Sequence, residues 1–498
     1  MSPSRSSRVE TLNRESVTPV FQPARTSCCT PADWKVGVAS RGSTKGKSKI
    51  ADHSRPTAKA RLPSAACTTR LAPPKRNRLD CGQVTTSTAQ PDDGPSALRA
   101  FDFQSRTRIV FGAGSVDRVG ELARELGGKS VLLVTDTGIV AAGHAARVKT
   151  SLETDRLRVT FFDRVRENPT TRCVDDCVAM AKAAKVNLIV GLGGGSSMDT
   201  AKGCNFIFTN GGRMEDYWGV GKATRPMLPL IAIPTTAGTG SECQSAALIA
   251  HEKTHQKMAC LDPKAAARVA ILDPQLTLSQ PPRVAACTGI DAIAHAVETA
   301  VTRKRNLLSQ MYSREAFRLC ITALPEVMKH PGDLDARGRM QLGAAFAGLA
   351  IENSMLGAAH SAANPLTAHF DVVHGQAVGI MLPHVVRFNG ADSATRDEYA
   401  ALARAAGIVG KTDSAGAGLK ALVARLEAAL RIAGLPRSLE DCGVRKSAIP
   451  QLAAEAARQW TANFNPRSVT RSDFVALYTA AFATRPAASK RRLSLGGR

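Results

Sequence analysis

Buried-strand patterns that alternate with helical patterns are the feature that most restricts how this chain can fold. The stretch VDRVGELARELG has a helical pattern that ends at Gly127-Gly128, and it separates the first two of four short apolar runs. Those runs are RIVFG (108–112), SVLLVTD (130–136), RVTFFD (158–163) and NLIVGL (187–192). Strands and helices that alternate at this spacing indicate a parallel α/β sheet.

The second half of the chain follows another pattern. From about Pro282 the strand signals stop, and Ala- and Leu-rich helical patterns continue to about residue 485. We therefore expect an α/β domain over residues 101–282 and an all-α domain over residues 283–485. A cleft is expected near their junction.

The two ends differ in composition from both halves. Residues 1–100 are rich in Ser, Thr, Pro and Arg and hold 17 basic against 7 acidic side chains, so they supply +10 of the formal net charge of +24. This composition predicts a disordered basic tail, with a mitochondrial transit peptide or an over-extended gene start as alternatives. Residues 486–498 are predicted to form a short basic tail.

The cysteines and the hydropathy of the chain indicate the cellular compartment of the protein. The twelve cysteines form no CxxC pair and show no regular spacing. This favours free thiols in a reducing compartment over a disulfide framework. No apolar run approaches eighteen residues, so no membrane helix is predicted. We predict a cytoplasmic protein, or a mitochondrial one if the N-terminus is a transit peptide.

Residues 351–388 contain four of the ten histidines of the chain. Two of them, His360 and His374, are fourteen residues apart, nearly four whole helical turns. Pro365 lies between them and disfavours one straight helix. We expect two helices that meet at a bend, each offering an imidazole to a common point.

Two further candidate metal ligands lie upstream. The segment GIDAIAHAVE places Asp291 and His295 at i and i+4 on one helical face. One carboxylate and three imidazoles are donors that suit Fe²⁺ or Zn²⁺. Taken singly, each of these histidines is more simply a packed or capping residue, so the metal hypothesis depends on the combination.

A glycine-rich turn, GLGGGSSMDTAKG (191–203), follows a strand and opens a helix. Its glycines let a backbone approach a phosphate, and the helix N-terminus supplies free N–H groups. It is neither a Walker A loop nor the GxGxxG fingerprint. A second motif, IPTTAGTGSE (233–242), could line the same phosphate site.

Asp136 ends an early strand. Such a carboxylate can accept hydrogen bonds from an adenosine ribose and repel a 2′-phosphate. The alternative is that Asp136 caps the helix that begins near GIVAAG.

Taken together, GGGSSMDTAKG, PTTAGTGSE, the DAIAH segment and the HSAAN…HFDVVHG segment resemble the iron-containing (group III) alcohol dehydrogenases from about Phe101 to residue 485. The resemblance implies an α/β plus all-α fold of dehydroquinate synthase-like architecture. In that fold, an N-terminal Rossmann-like nucleotide-binding domain precedes a C-terminal helical metal-binding domain. It also implies an NAD-dependent alcohol dehydrogenase or aldehyde reductase that uses Fe²⁺, or Zn²⁺ in some members.

The resemblance extends to single residues. It implies that the metal ligands are Asp291, His295, His360 and His374. It implies that the dinucleotide is bound by Asp136, Asn168, Gly194, Gly195, Ser196, Ser197, Met198, Asp199, Thr235, Thr236 and Lys257. Asp136 at this place marks a preference for NAD over NADP.

One position departs from the family pattern. Relatives carry a further histidine four residues after the first metal-binding histidine of this segment, where this chain has Asn364. Asparagine cannot relay a proton at neutral pH, although it can orient a hydroxyl group. His369 could substitute if the bend turns it inward, or it could face solvent. Both residues are candidate catalytic residues.

Three functions are compatible with these patterns. The leading one is hydride transfer between nicotinamide and a small alcohol or carbonyl compound held by the metal. For this function we expect a homo-oligomer such as a dimer. The second is a hydroxyacid–oxoacid transhydrogenase that keeps NAD bound. The third is a nucleic-acid binder with a vestigial enzyme domain, but the basic tail lacks the interleaved aromatic residues expected for base stacking.

Overall fold

The computed structural model describes residues 100–254 and 256–482. The predicted basic tails therefore lie outside the described residues, apart from Ala100. Among the helices of the described ranges, none is both long and apolar enough to cross a membrane.

Short strands form where the apolar runs predict them. The residues of these strands are mostly β-branched or Leu, which pack well on a pleated surface. Within the described residues the strands are β1 (Arg108–Phe111), β2 (Ser130–Val134), β3 (Arg158–Phe162), β4 (Leu188–Gly193), β5 (Gly219–Val220), β6 (Leu230–Pro234), β7 (Ala246–Ala250), β8 (Lys257–Leu261) and β9 (Val269–Leu272).

Six of these strands form a parallel sheet in the order β1-β9-β6-β4-β2-β3. The chain runs from β2 outward to β3 and then returns to the other side of β2 as β4. The strand order thus reverses between β2 and β4, and ligands of open α/β sheets bind at the carboxyl ends beside such a point. The predicted α/β sheet is confirmed.

Both faces of the sheet are covered. Successive side chains of a strand point to opposite faces, so Val131 and Leu133 belong to one core while Leu132 and Val134 belong to the other. The helices of this half are α1 (Val119–Glu125), α2 (Thr137–Ala141), α3 (His144–Thr154), α4 (Thr171–Ala184) and α5 (Gly195–Asn210). A smaller sheet, in the order β5-β8-β7, packs beside α5 and was not predicted.

After β9 the described chain is helical, as the sequence predicts. The helices are α6 (Pro282–Thr299), α7 (Leu307–Lys329), α8 (Leu334–Glu352), α9 (Ala358–Phe370), α10 (His374–Asn389), α11 (Ser393–Ala405), α12 (Ala415–Ile432), α13 (Ile449–Ala456) and α14 (Arg471–Phe482). Helix α6 is buried from Ala285 almost to its end and packs against α7, α8 and α10. Its residues are therefore central to the helical core.

The predicted bend between two histidine-bearing helices is present, but Pro365 does not cause it. Pro365 lies inside α9, where it removes only its own N–H from the helical hydrogen bonds. The chain turns instead at Asp371, whose φ of 52° is left-handed and ends the helix. Helix α10 then begins at His374.

Candidate metal and dinucleotide site

Helix α6 carries the carboxylate and the first imidazole of the predicted metal site. It begins with Pro282, whose missing N–H costs nothing in the first helical turn. Asp291 and His295 follow on one face, with 3.5 Å between Asp291 Oδ1 and His295 Nε2. Both side chains are buried.

Helices α9 and α10 bring the other two imidazoles to the same carboxylate. Asp291 Oδ1 lies 3.5 Å from His360 Nε2 and 3.9 Å from His374 Nε2. The centroid of the His360 ring is 4.8 Å from that of His295 and 5.4 Å from that of His374. All three imidazoles that the sequence singles out therefore lie near the Asp291 carboxylate, with Asp291, His295 and His360 forming the closest group and His374 at its edge.

A glycine permits this convergence. Gly375 is the second residue of α10, and a Cβ atom placed on it would lie 2.0 Å from the carbonyl oxygen of Cys287 and 3.2 Å from Cβ of Asp291. Any larger residue would push the start of α10 away from α6. The close contact of the two helices is what carries His374 to Asp291.

The four groups perturb one another strongly. Burial raises the pKa of Asp291, but the neighbouring imidazoles outweigh burial and hold that pKa well below its usual range. Burial lowers the pKa of His360, yet the carboxylates of Glu298 and Asp291 outweigh it and raise the pKa to about 9. Burial lowers the pKa of His295 and of His374. The cluster thus pairs one anionic carboxylate with imidazoles in different charge states.

The donor set fits a divalent metal ion. Within the part of the chain that the structure describes, Asp291 Oδ1, His295 Nδ1 and His360 Nε2 are buried without a hydrogen-bond partner. Buried polar atoms are rarely left unpaired unless an ion, a water or a functional role explains them. One ligand atom each from Asp291, His295 and His360 lies within 4.8 Å of the others. Carboxylate oxygen and imidazole nitrogen are ligands that suit Fe²⁺ or Zn²⁺.

The glycine-rich turn lies at the carboxyl end of β4. Gly193 has φ 142°, and a Cβ atom there would lie 2.4 Å from Ser197 Oγ. Cβ atoms on Gly194 and Gly195 would lie 3.4 Å from Thr236 Cγ2 and 2.9 Å from Thr239 Cγ2. The two predicted motifs therefore meet, and α5 presents its N-terminal N–H groups beside them.

Asp136 caps a helix with one carboxylate oxygen, and its role toward a ribose stays a prediction. Its Oδ1 accepts a hydrogen bond of 3.0 Å from the backbone N–H of Ile139, which makes Asp136 the cap of α2. Its Oδ2 lies 3.3 Å from a Cβ atom placed on Gly193. One carboxylate oxygen thus caps the helix, while the other faces the glycine-rich turn at the point where the strand order reverses.

The other predicted dinucleotide ligands flank this turn. The backbone N–H of Thr235 donates to the carbonyl oxygen of Gly193 over 3.0 Å. Asn168 has a left-handed φ of 52° in the loop after β3. Lys257 begins β8. Burial raises the pKa of Asp199 to about 6 and lowers the pKa of His374 to about 3, and the charge of Lys257 has a smaller effect on both groups. Lys257 is therefore close enough to influence the nucleotide half and the metal half together.

The structure separates the two candidate catalytic residues. Asn364 lies one turn beyond His360 on the same face of α9, and its Nδ2 donates to Gln459 Oε1 over 3.1 Å. His369 is exposed, and its Nε2 lies 2.8 Å from Glu455 Oε2. Nine residues along a helix rotate a side chain by about 900°, so His369 points opposite to His360. The bend does not turn His369 toward the metal cluster.

Two buried residues of this region were missed by sequence reasoning. Glu298 lies 2.5 Å from Nδ1 of His360. Lys202 donates to the carbonyl oxygens of Ser241 and Ala246 and to the Ser241 hydroxyl. Glu298 continues the face of Asp291 and His295 by one further turn, which was the available signal. Lys202 lies inside the motif GLGGGSSMDTAKG, but no pattern in that motif indicates that its side chain is buried.

Comparisons with known proteins agree along the described chain. Residues 106–274 match the family model of the iron-containing alcohol dehydrogenase. Residues 285–482 match the model of the C-terminal part of the Fe-containing alcohol dehydrogenase family. Residues 275–284, which include the first residues of α6, separate the two matches.

Individual relatives extend over most of the chain. A lactaldehyde reductase of Escherichia coli is 33% identical over 374 residues, which cover 75% of this chain and 97% of the relative. An NAD-dependent methanol dehydrogenase of Bacillus methanolicus is 33% identical, covering 73% of this chain and 95% of that protein. The crystal structure of a 1,3-propanediol oxidoreductase superposes with a TM-score of 0.75 at 31% identity, covering 77% of this chain and 100% of that one.

Proposed function

The chain belongs to the iron-containing alcohol dehydrogenase family, and on that basis we propose that it interconverts a small alcohol and its carbonyl compound at the site around Asp291. It is an oxidoreductase, and NAD is its hydride carrier. The proposal depends most on one observation: three imidazoles surround one buried carboxylate. The transhydrogenase alternative has no support from the comparisons.

The metal assignment deepens that proposal. Asp291, His295, His360 and His374 would hold Fe²⁺, or Zn²⁺, and the three unpaired buried atoms of this cluster support the assignment. Such an ion supplies a Lewis acid that lowers the pKa of a hydroxyl group or polarises a carbonyl group. Three neutral imidazoles and one carboxylate cancel only one of two positive charges, so the donor set preserves that acidity.

Exposure indicates where substrate enters. The side chains of Asp291, His295 and His360 are at most 7% exposed, whereas that of His374 is 34% exposed. The cluster is therefore open on the side of His374.

The dinucleotide is proposed to lie along the carboxyl end of the sheet. The first turn of α5 and the threonine-rich loop would bind the pyrophosphate through backbone N–H groups and hydroxyl groups. The free Oδ2 of Asp136 would accept from the ribose hydroxyls and repel a 2′-phosphate. The ligands proposed are Asp136, Asn168, Gly194, Gly195, Ser196, Ser197, Met198, Asp199, Thr235, Thr236 and Lys257.

We propose that Asn364 contributes a polar group that does not titrate to the substrate pocket. Its amide nitrogen is hydrogen-bonded to Gln459. An amide can orient a hydroxyl group but cannot take its proton. We propose that Asn364 affects which substrate is held rather than how its proton leaves.

Activity with added cofactor tests the proposal. Purified protein loaded anaerobically with Fe²⁺ or Zn²⁺ should oxidise NADH when small aldehydes such as lactaldehyde are supplied, as followed by nicotinamide absorbance. Small alcohols with NAD should give the reverse reaction. If the loaded protein exchanges hydride between a hydroxyacid and an oxoacid but never with added NADH, the transhydrogenase alternative is correct instead.

Assembly and location remain predictions. We propose a homodimer, which light scattering on the eluted protein would test. A reducing compartment, the cytoplasm first among them, is supported by eight free cysteines within the described residues.

A further inference from the structure

Glu298 is a buried carboxylate that joins two helices of the metal site. It lies on α6, one turn beyond His295, and its side chain is 4% exposed. Its Oε2 is 2.5 Å from Nδ1 of His360, which lies 62 residues away on α9. Its Oε1 accepts a hydrogen bond of 2.7 Å from the backbone N–H of Ala359.

The contact with Glu298 decides which nitrogen of His360 is available. A carboxylate can only accept, so Nδ1 of His360 must carry the proton in this contact. In the neutral ring, Nε2 then has the free lone pair, and it is Nε2 that faces Asp291 Oδ1 at 3.5 Å. The same contact fixes the rotation of the ring, because a ring held at Nδ1 by Glu298 can direct Nε2 only toward Asp291.

From these contacts we infer that Glu298 is a positioning residue for the metal, which holds His360 in the tautomer and orientation that a cation requires. The inference depends on the proposed function, since it assigns His360 as a ligand. Carboxylates that accept from the second nitrogen of a ligating histidine typically change metal affinity 10–100-fold when they are mutated.

A purely structural role is the competing explanation. Glu298 also caps the N-terminus of α9 through Ala359, and loss of a cap destabilises a helix. Asn465 provides a second cap on the same helix, because its Oδ1 accepts from the N–H of Ala358 over 3.3 Å. An experiment can separate the two caps, because Glu298 contacts His360 in addition to the backbone of α9.

The substitution Glu298→Gln removes the charge and one acceptor while keeping the size. A glutamine has one carbonyl oxygen, so it cannot accept from both Ala359 and His360. We expect apo E298Q to bind Zn²⁺ about 10–100-fold more weakly in competition with a chelator. We also expect an altered absorption spectrum with Co²⁺, whereas NAD binding should stay near that of the wild type.

Two control variants separate positioning from stability. E455Q removes the glutamate partner of His369, which lies on α9 like His360. This variant should leave Zn²⁺ affinity unchanged. N465A removes the other cap and should lower the melting temperature without weakening Zn²⁺ as E298Q does. If E298Q does not fold, E298D replaces it, because the shorter side chain keeps the charge but withdraws from His360.

The outcomes distinguish the inference from the proposed function. Wild-type Zn²⁺ affinity and Co²⁺ spectrum in E298Q, together with loss of metal in H360A, would overturn the inference alone. An equal loss of affinity in N465A and E298Q would also overturn it, in favour of helix capping. Retention of metal by H360A would instead overturn the assignment of the metal site.

Discussion

A Cβ atom placed on Gly375 would lie 2.0 Å from the carbonyl oxygen of Cys287. The backbones of α10 and α6 therefore touch beside the metal cluster, one residue after His374 and four residues before Asp291. This contact sets the distance between the partly exposed imidazole of His374 and the buried carboxylate of Asp291.

The substitution Gly375→Ala should weaken metal binding. The added methyl group overlaps the backbone of α6, and overpacking of this kind destabilises by about 1–3 kcal/mol. Calorimetry and metal analysis of the purified variant would check both effects. Gly416 is the matched control, because it is also the second residue of its helix and has nothing within 4 Å of its Cβ position. G416A should keep its metal and melt at or slightly above the wild-type temperature.

Removal of the Asp136 charge should increase the use of NADP. Like charges a few ångströms apart repel by on the order of 1–4 kcal/mol, so D136G should raise the NADP to NAD ratio of kcat/KM by at least about tenfold. D136N keeps an acceptor for the Ile139 N–H, so it removes the charge without removing the cap of α2. A wild-type enzyme that prefers NADP would contradict the role given to Asp136.

Lys202→Met should destabilise the nucleotide half of the chain. Burial lowers the pKa of Lys202, and three acceptors lose their donor when it is replaced. Loss of such a buried network costs about 3–5 kcal/mol, to be measured by urea unfolding. The KM for NAD should also rise, because Ser241 loses the group that holds its loop. Lys420→Met, on an exposed helical face, should change neither quantity.

Local patterns in the sequence predict the sheet and the helical half, because β-branched runs and helical periodicity are properties of short segments. They also place Asp291 and His295 on one face of α6, because the two residues are four apart, and they single out His360 and His374 as two of four histidines in one short segment. Contacts between residues that are far apart in the chain are not predicted in this way. The contact of Glu298 with His360 depends on how two helices pack, which no local pattern encodes.

The direction of His369 shows the same limit on a smaller scale. Its spacing from His360 places it on the opposite face of a continuous helix. A break at Pro365 would change that direction, so the sequence alone does not predict where His369 points. The small sheet was missed for a related reason: Gly219–Val220 is too short to carry a strand signal.

Deletion of residues 1–98 should leave metal content, turnover and melting temperature almost unchanged. The prediction is based on composition and on the first family match, which begins at residue 106. Retention on heparin should fall, because the deleted segment carries most of the net +10 of the N-terminal region. Loss of folding or activity in the shortened protein would contradict the prediction of a dispensable tail.

The metal content of His374→Ala tests the central claim most directly. Wild-type protein loaded with Fe²⁺ under anaerobic conditions and then desalted should retain about one equivalent per chain. H374A should retain little and lose turnover, while it still binds NAD, and the matched variant H369A should behave as the wild type. If H374A keeps a full equivalent of metal and turns over normally, the four-residue metal site is wrong.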